Sequence, residues 1–120
     1  MRVGLIICMA LFCLTGCHKA WTPPPPLSEA EIPSDFQKTF AKASPEVKDV
    51  IGQAVAAIQS KDYPAAYTIL QGVYHMPGVT QEERELASQT LLTLNGLMQT
   101  AESQGDQRAA DFLRLQRATK

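Results

Sequence analysis

Hydrophobic positions along this chain of 120 residues follow two regimes. Val3 to Leu14 is an unbroken apolar run, VGLIICMALFCL, without a charge. After a polar, proline-rich stretch the apolar residues return singly, three and four positions apart, and keep that rhythm to the end. Such spacing places them on one face of a helix, and no stretch alternates with period two for long enough to predict a strand. The second regime predicts an all-α fold, a small bundle of four to five helices over 34–120.

Local signals place the helices within that region. Ser34-Asp35 is read as the cap of a short first helix with Phe36 and Phe40 on one face. Ser44-Pro45-Glu46 is a stronger start, a capping serine followed by proline at the first helical position. From there Val47, Ile51, Ala54 and Ile58 form a stripe widened by Val50 and Val55, and the helix fades at Ser60-Lys61. Asp62 caps the next helix, whose apolar face is Tyr63, Ala66, Tyr67, Leu70, Val73 and Tyr74, with Met76-Pro77-Gly78 as its stop. Thr80 to Glu83 has the capping-box form. The acidic residues Glu82, Glu83 and Glu85 suit the positive end of the helix dipole and read as a solvated helix start. Ala87, Leu91, Leu94, Met98 and Ala101 then make a seam, with Leu86, Thr90 and Leu97 beside it. Gly105 marks an end, and Asp106 caps a last helix carrying Ala109, Phe112, Leu113 and Gln116.

The N-terminal run has a different use. A membrane-spanning helix needs roughly 20 apolar residues, and a shorter run behind a positive Arg2 has the form of a signal-peptide core. It closes on Leu14-Thr15-Gly16-Cys17, which resembles a bacterial lipobox. The resemblance implies a lipoprotein signal peptide at 1–16, removed before Cys17. It further implies a diacylglyceryl group on the Cys17 thiol and an acyl chain on its new amine. Several chains are needed because one acyl chain, at about 0.8 kcal/mol per buried methylene, holds a protein only marginally. Gram-negative lipoproteins sort on the next residue, and His18 is not the aspartate that signals inner-membrane retention. The resemblance therefore favours the periplasmic face of the outer membrane, with the outer face of the cytoplasmic membrane as the alternative.

Residues 17–33 read as a lipid-anchored spacer. Pro23 to Pro26 cannot enter a helix interior and favour an extended polyproline conformation. Such a segment can also dock in an aromatic groove. Trp21 lies close to the lipidated residue, in a position suited to the headgroup layer or to a solvated linker.

Cys8 and Cys13 leave with the signal and Cys17 is consumed, so stability must come from packing without disulfides. The processed chain would carry 10 basic and 12 acidic side chains without blocks. A nucleic-acid binder shows a basic stripe, and none is present. Nor is there a polybasic grip for anionic lipid.

His18 and His75 are the only histidines, far apart, and no metal site is expected from them. His75 fits the C-terminal end of a helix, where a positive imidazole is favourable. No carboxylate pair, strained serine turn or phosphate-cradling glycine loop marks a catalytic centre. The chain is expected to be no enzyme and to carry no cofactor beyond its covalent lipid.

The stretch from Glu46 to about Leu70 resembles one tetratricopeptide repeat hairpin. Ala57, Lys61-Asp62-Tyr63, Ala66 and Leu70 carry the likeness, with Lys61 at the family's usual glycine and Pro64 after the tyrosine. The resemblance implies a helical hairpin of the kind that receives a partner peptide or helix. Tyr63, Tyr67 and Tyr74 share a helical face and are the candidate partner-binding residues, with core packing as the other use of that face. The expected role is a non-enzymatic scaffold or adaptor that binds another, unidentified envelope protein. A self-associating structural lipoprotein and a small regulator of a periplasmic enzyme are the alternatives.

Overall fold

A computed structural model describes residues 25–120, so the signal segment, Cys17, His18 and Trp21 lie outside the described residues. Within that range the chain forms five α-helices: α1 (Ile32–Thr39), α2 (Pro45–Gln59), α3 (Tyr63–His75), α4 (Gln81–Ser103) and α5 (Gln107–Ala118). No strand occurs among the described residues. The all-α reading holds, at five helices.

Each of the last four helices starts on the side chain the sequence nominates. Ser44 accepts from the Val47 amide and Asp62 from Ala65. Asp106 accepts from both Arg108 and Ala109. At α4 the box closes both ways, Thr80 accepting from the Glu83 amide at 3.2 Å and Glu83 accepting from the Thr80 amide at 2.8 Å. Each bond satisfies an amide that has no partner inside its helix.

Two helix ends share one design. After α2, Lys61 donates from its backbone to Ile58 and Asp62 to Ala57, with Lys61 in the left-handed region at φ 62°. After α4, Gly105 donates to Glu102 and Asp106 to Ala101, with Gly105 at φ 93°. Both are Schellman ends, and both hand directly to an aspartate that caps the following helix. Short connections of this kind make neighbouring helices antiparallel, giving hairpins α2/α3 and α4/α5.

The hairpins lie with their turns side by side. Arg108 at the start of α5 reaches Asp62 at the start of α3 at 3.5 Å, and the Tyr67 and Phe112 rings meet edge to face at 5.4 Å. α3 and α5 therefore run in the same direction. α4 packs on α3 but does not meet α2; α1 sits between them and touches both. Helices α1 to α4 thus form a ring, and α5 covers the outer side of the α3/α4 seam. Ile32, Phe36, Ile58, Leu70, Val73, Leu94 and Met98 are fully enclosed within it.

Three expectations need correction. Ser34 does not cap α1; the helix begins earlier, at Ile32, and the Ser34 hydroxyl donates to the Glu31 carbonyl. Ile32 is completely buried, and Pro33 supplies a helical φ at the first turn, so packing sets this start. The acidic start of α4 is not uniformly solvated, because Glu83 is only 3% exposed while its carboxylate holds the capping amide. The folded body also begins before residue 34. Gln89 donates to the Pro25 carbonyl at 2.8 Å, and Leu27 packs against the core.

Candidate docking groove

A concavity runs between α1 and α2. Its floor is Phe36, Phe40 and Ile51, and its walls are Pro33 and Gln37 on α1, Ala41 in the turn after it, and Lys48, Gly52, Val55, Ala56 and Gln59 on α2. It encloses about 630 Å³ and opens to solvent. The two floor rings stack in parallel at 5.4 Å. Their i,i+4 spacing, Phe36 on α1 and Phe40 at its C-cap, puts both on the same inner side.

Sequence and packing together explain why the groove stays open. α1 has 8 residues against 15 in α2, so it covers only part of the face that α2 turns toward it. Gly52 sits on that face, and a Cβ added there would meet nothing within 4 Å. A glycine within a helix costs about 0.5–1 kcal/mol relative to alanine, and here the missing side chain deepens the groove. Among the lining residues Lys48 is the single charge, and none is His, Cys, Ser, Asp or Glu. Such a surface can hold an apolar segment by area and shape.

At the Pro33–Gln59 end the groove continues into a more polar recess that includes Ser28, Glu29 and Lys61. Here the Glu29 carboxylate accepts from Lys61 Nζ at 2.6 Å and from the Tyr63 hydroxyl at 3.0 Å. The contact ties the N-terminal arm to the α2–α3 turn. The bond to Glu29 holds the Lys61 ammonium above its usual pKa. Burial, and then the bond to Glu29, pushes the Tyr63 phenol up as well.

The three tyrosines take three different environments. Tyr63 is buried and bound to Glu29. Tyr67 is half-buried against Phe112. Tyr74 is 40% exposed and meets the His75 ring edge on at 5.2 Å. The stripe is therefore split: α5 and the arm cover two of its members, and Tyr74 alone faces out, beside a small cleft with Gln71, Ser88 and Leu91. His75 closes α3 as the basic residue of its last turn. Among the described residues no group of three or more His, Cys, Asp or Glu side chains converges on a metal-sized site. No described helix is long and apolar enough to cross a membrane.

The helical pattern rightly assigned Phe36, Phe40 and Ile51 to the core, where they are buried, but did not show the concavity that the wall residues form above them. Gly52, out of place in a helix interior, was the one available signal.

No protein-family model matches the chain, and no curated protein or solved structure matches it either.

Proposed function

We propose that this chain is a lipid-anchored bacterial envelope protein whose helical domain is a non-enzymatic docking module for another envelope protein. The anchored half of the reading rests on Leu14-Thr15-Gly16-Cys17 behind a charge-free apolar run and ahead of a proline spacer. His18 after the cysteine favours the periplasmic face of the outer membrane. The docking half rests on one observation, the open apolar groove floored by Phe36, Phe40 and Ile51. Its occupant is an apolar helix or peptide of the partner, with Tyr74 a further contact outside the groove.

A tetratricopeptide-like character is part of this reading. Two features support it: Lys61 takes the left-handed conformation at the position where the family has glycine, and an equivalent turn recurs 44 residues later at Gly105.

Crosslinking in cells with the lipidated protein, followed by pulldown, tests the docking half. The wild type is expected to capture a reproducible partner, and Gly52→Leu, which fills the groove where nothing else stands, is expected to lose it. Capture of the same partner by both proteins would move the contact off the groove. Recovery of no partner by the wild type would sink the adaptor reading.

A further inference from the structure

The N-terminal arm fixes where the tether leaves the domain, and the helix at that exit has an unusual surface. Gln89 holds the Pro25 carbonyl at 2.8 Å, and the Thr93 hydroxyl shares its proton between the Leu27 and Gln89 carbonyls. Glu29 is held in turn by Lys61 and Tyr63. The arm thus lies along one flank of α4 from Pro25 onward. On the other flank, Arg117 of α5 reaches Glu102 at 3.2 Å. Between these flanks α4 exposes Ser88, Leu92, Gly96, Gln99 and Thr100. From Leu86 to Ala101 the helix carries no Asp, Glu, Lys or Arg at all. Leu92, at the same level as Gln89 and Thr93, is 62% exposed. Charges mark the outer surface of α5, with Arg108, Asp111 and Arg114, and the first turns of α2, with Glu46, Lys48 and Asp49; α3 exposes Thr68, Gln71, Gly72, Tyr74 and His75 and, like this stretch of α4, no Asp, Glu, Lys or Arg.

We infer that the uncharged stretch of the outer face of α4, from Ser88 to Thr100, is apposed to the lipid surface that holds the anchor, with Leu92 at its centre in the headgroup layer. The inference rests on the lipid anchor proposed above. Cys17 lies eight residues before Pro25. Eight residues span roughly 29 Å even at full extension, less than the ~34 Å length of a helix of 23 residues. The lead joins the domain alongside α4, so this helix stands at the tether's point of attachment. Bringing a face to the interface strips water from it. A face without charges avoids the large cost of desolvating ions, which α5 and the first turns of α2 would incur. One leucine adds a small apolar gain, and the lipid chains supply the affinity.

Fluorescence quenching in vesicles tests this. After lipidation Cys17 is blocked, and Cys8 and Cys13 have left with the signal, so one new thiol can be labelled alone. Full-length Leu92→Cys and, as control on the outer face of α2, Gln53→Cys are expressed, lipidated and labelled with a nitrobenzoxadiazole fluorophore. The proteins are reconstituted in vesicles of phosphatidylethanolamine and phosphatidylglycerol containing a shallow spin-labelled lipid. Quenching at position 92 is expected to exceed that at position 53 at least twofold. Equal quenching in protein that floats with the vesicles overturns the inference and leaves the anchor standing. Failure to float removes the anchor, and the inference with it. Position 92 crosslinking to its equivalent in a second copy without lipid quenching overturns it in favour of a dimer face.

Discussion

The Tyr63 hydroxyl and the Glu29 carboxylate meet at 3.0 Å across 34 positions of chain, at the point where the arm crosses the α2–α3 turn. The bond turns the arm from a lead into part of the domain. Tyr63→Phe keeps the buried ring and removes only the donor. A loss of about 1 kcal/mol is expected, the usual net value of one such bond. A urea midpoint indistinguishable from that of the wild type would show that the Tyr63 hydroxyl adds nothing to the hold of Lys61, Gln89, Thr93 and the packing of Leu27 on the arm.

The same cluster contributes stability that alkali removes. Tyr63 and Lys61 both hold their protons more tightly folded than unfolded, so their contribution is complete at neutral pH. As pH climbs past their ordinary values the unfolded chain loses protons first, and stability falls. The urea midpoint is expected to drop as pH rises above about 10, less steeply in Glu29→Gln than in the wild type. Parallel profiles would remove Glu29 as a cause.

Leu92 and Leu94 lie two positions apart on α4 and face opposite ways, one largely exposed and the other completely buried. Leu94→Ala is expected to cost about 2–5 kcal/mol through the cavity it leaves. Leu92→Ala should stay within about 0.5 kcal/mol. Chemical denaturation of the two variants side by side reads the difference, and similar losses would contradict the burial pattern.

The two Schellman ends invite opposite substitutions. Gly105 stands at φ 93°, where a side chain is strained, and Gly105→Ala should lower stability by about 1 kcal/mol. Lys61 already bears that strain, so Lys61→Gly should be more stable than Lys61→Ala, both having lost the bond to Glu29. Thermal unfolding of the three variants gives the order directly. Equal values for the two Lys61 variants would mean that the turn carries no strain there.

Cys17→Ser tests the anchor apart from the fold. Incorporation of radiolabelled fatty acid is expected to vanish in this variant, and persistent labelling would overturn lipidation at that residue.

Local signals were legible wherever one residue does one job close by in sequence. Ser44, Asp62, Thr80 with Glu83, and Asp106 all cap as their spacing indicates, because a cap needs only the next three amides. What depends on distant contacts was not legible. Ser34 looked like a cap, but complete burial of Ile32 moved the start of α1 forward. Tyr63, Tyr67 and Tyr74 share a face, but periodicity does not show that Glu29 and Phe112 come to cover two of them. The groove is a gap between α1 and α2, and a pattern of apolar positions reports what is buried, not where cover ends.

Asp62 and Asp106 each close one helix with the backbone and open the next with the side chain. Neither hairpin therefore has a spare residue at its bend. Adding or deleting one position there would strip partners from the last carbonyls of one helix or the first amides of the other. Length variation among any descendants of this gene should accumulate instead between Met76 and Val79, where no residue serves two helices at once.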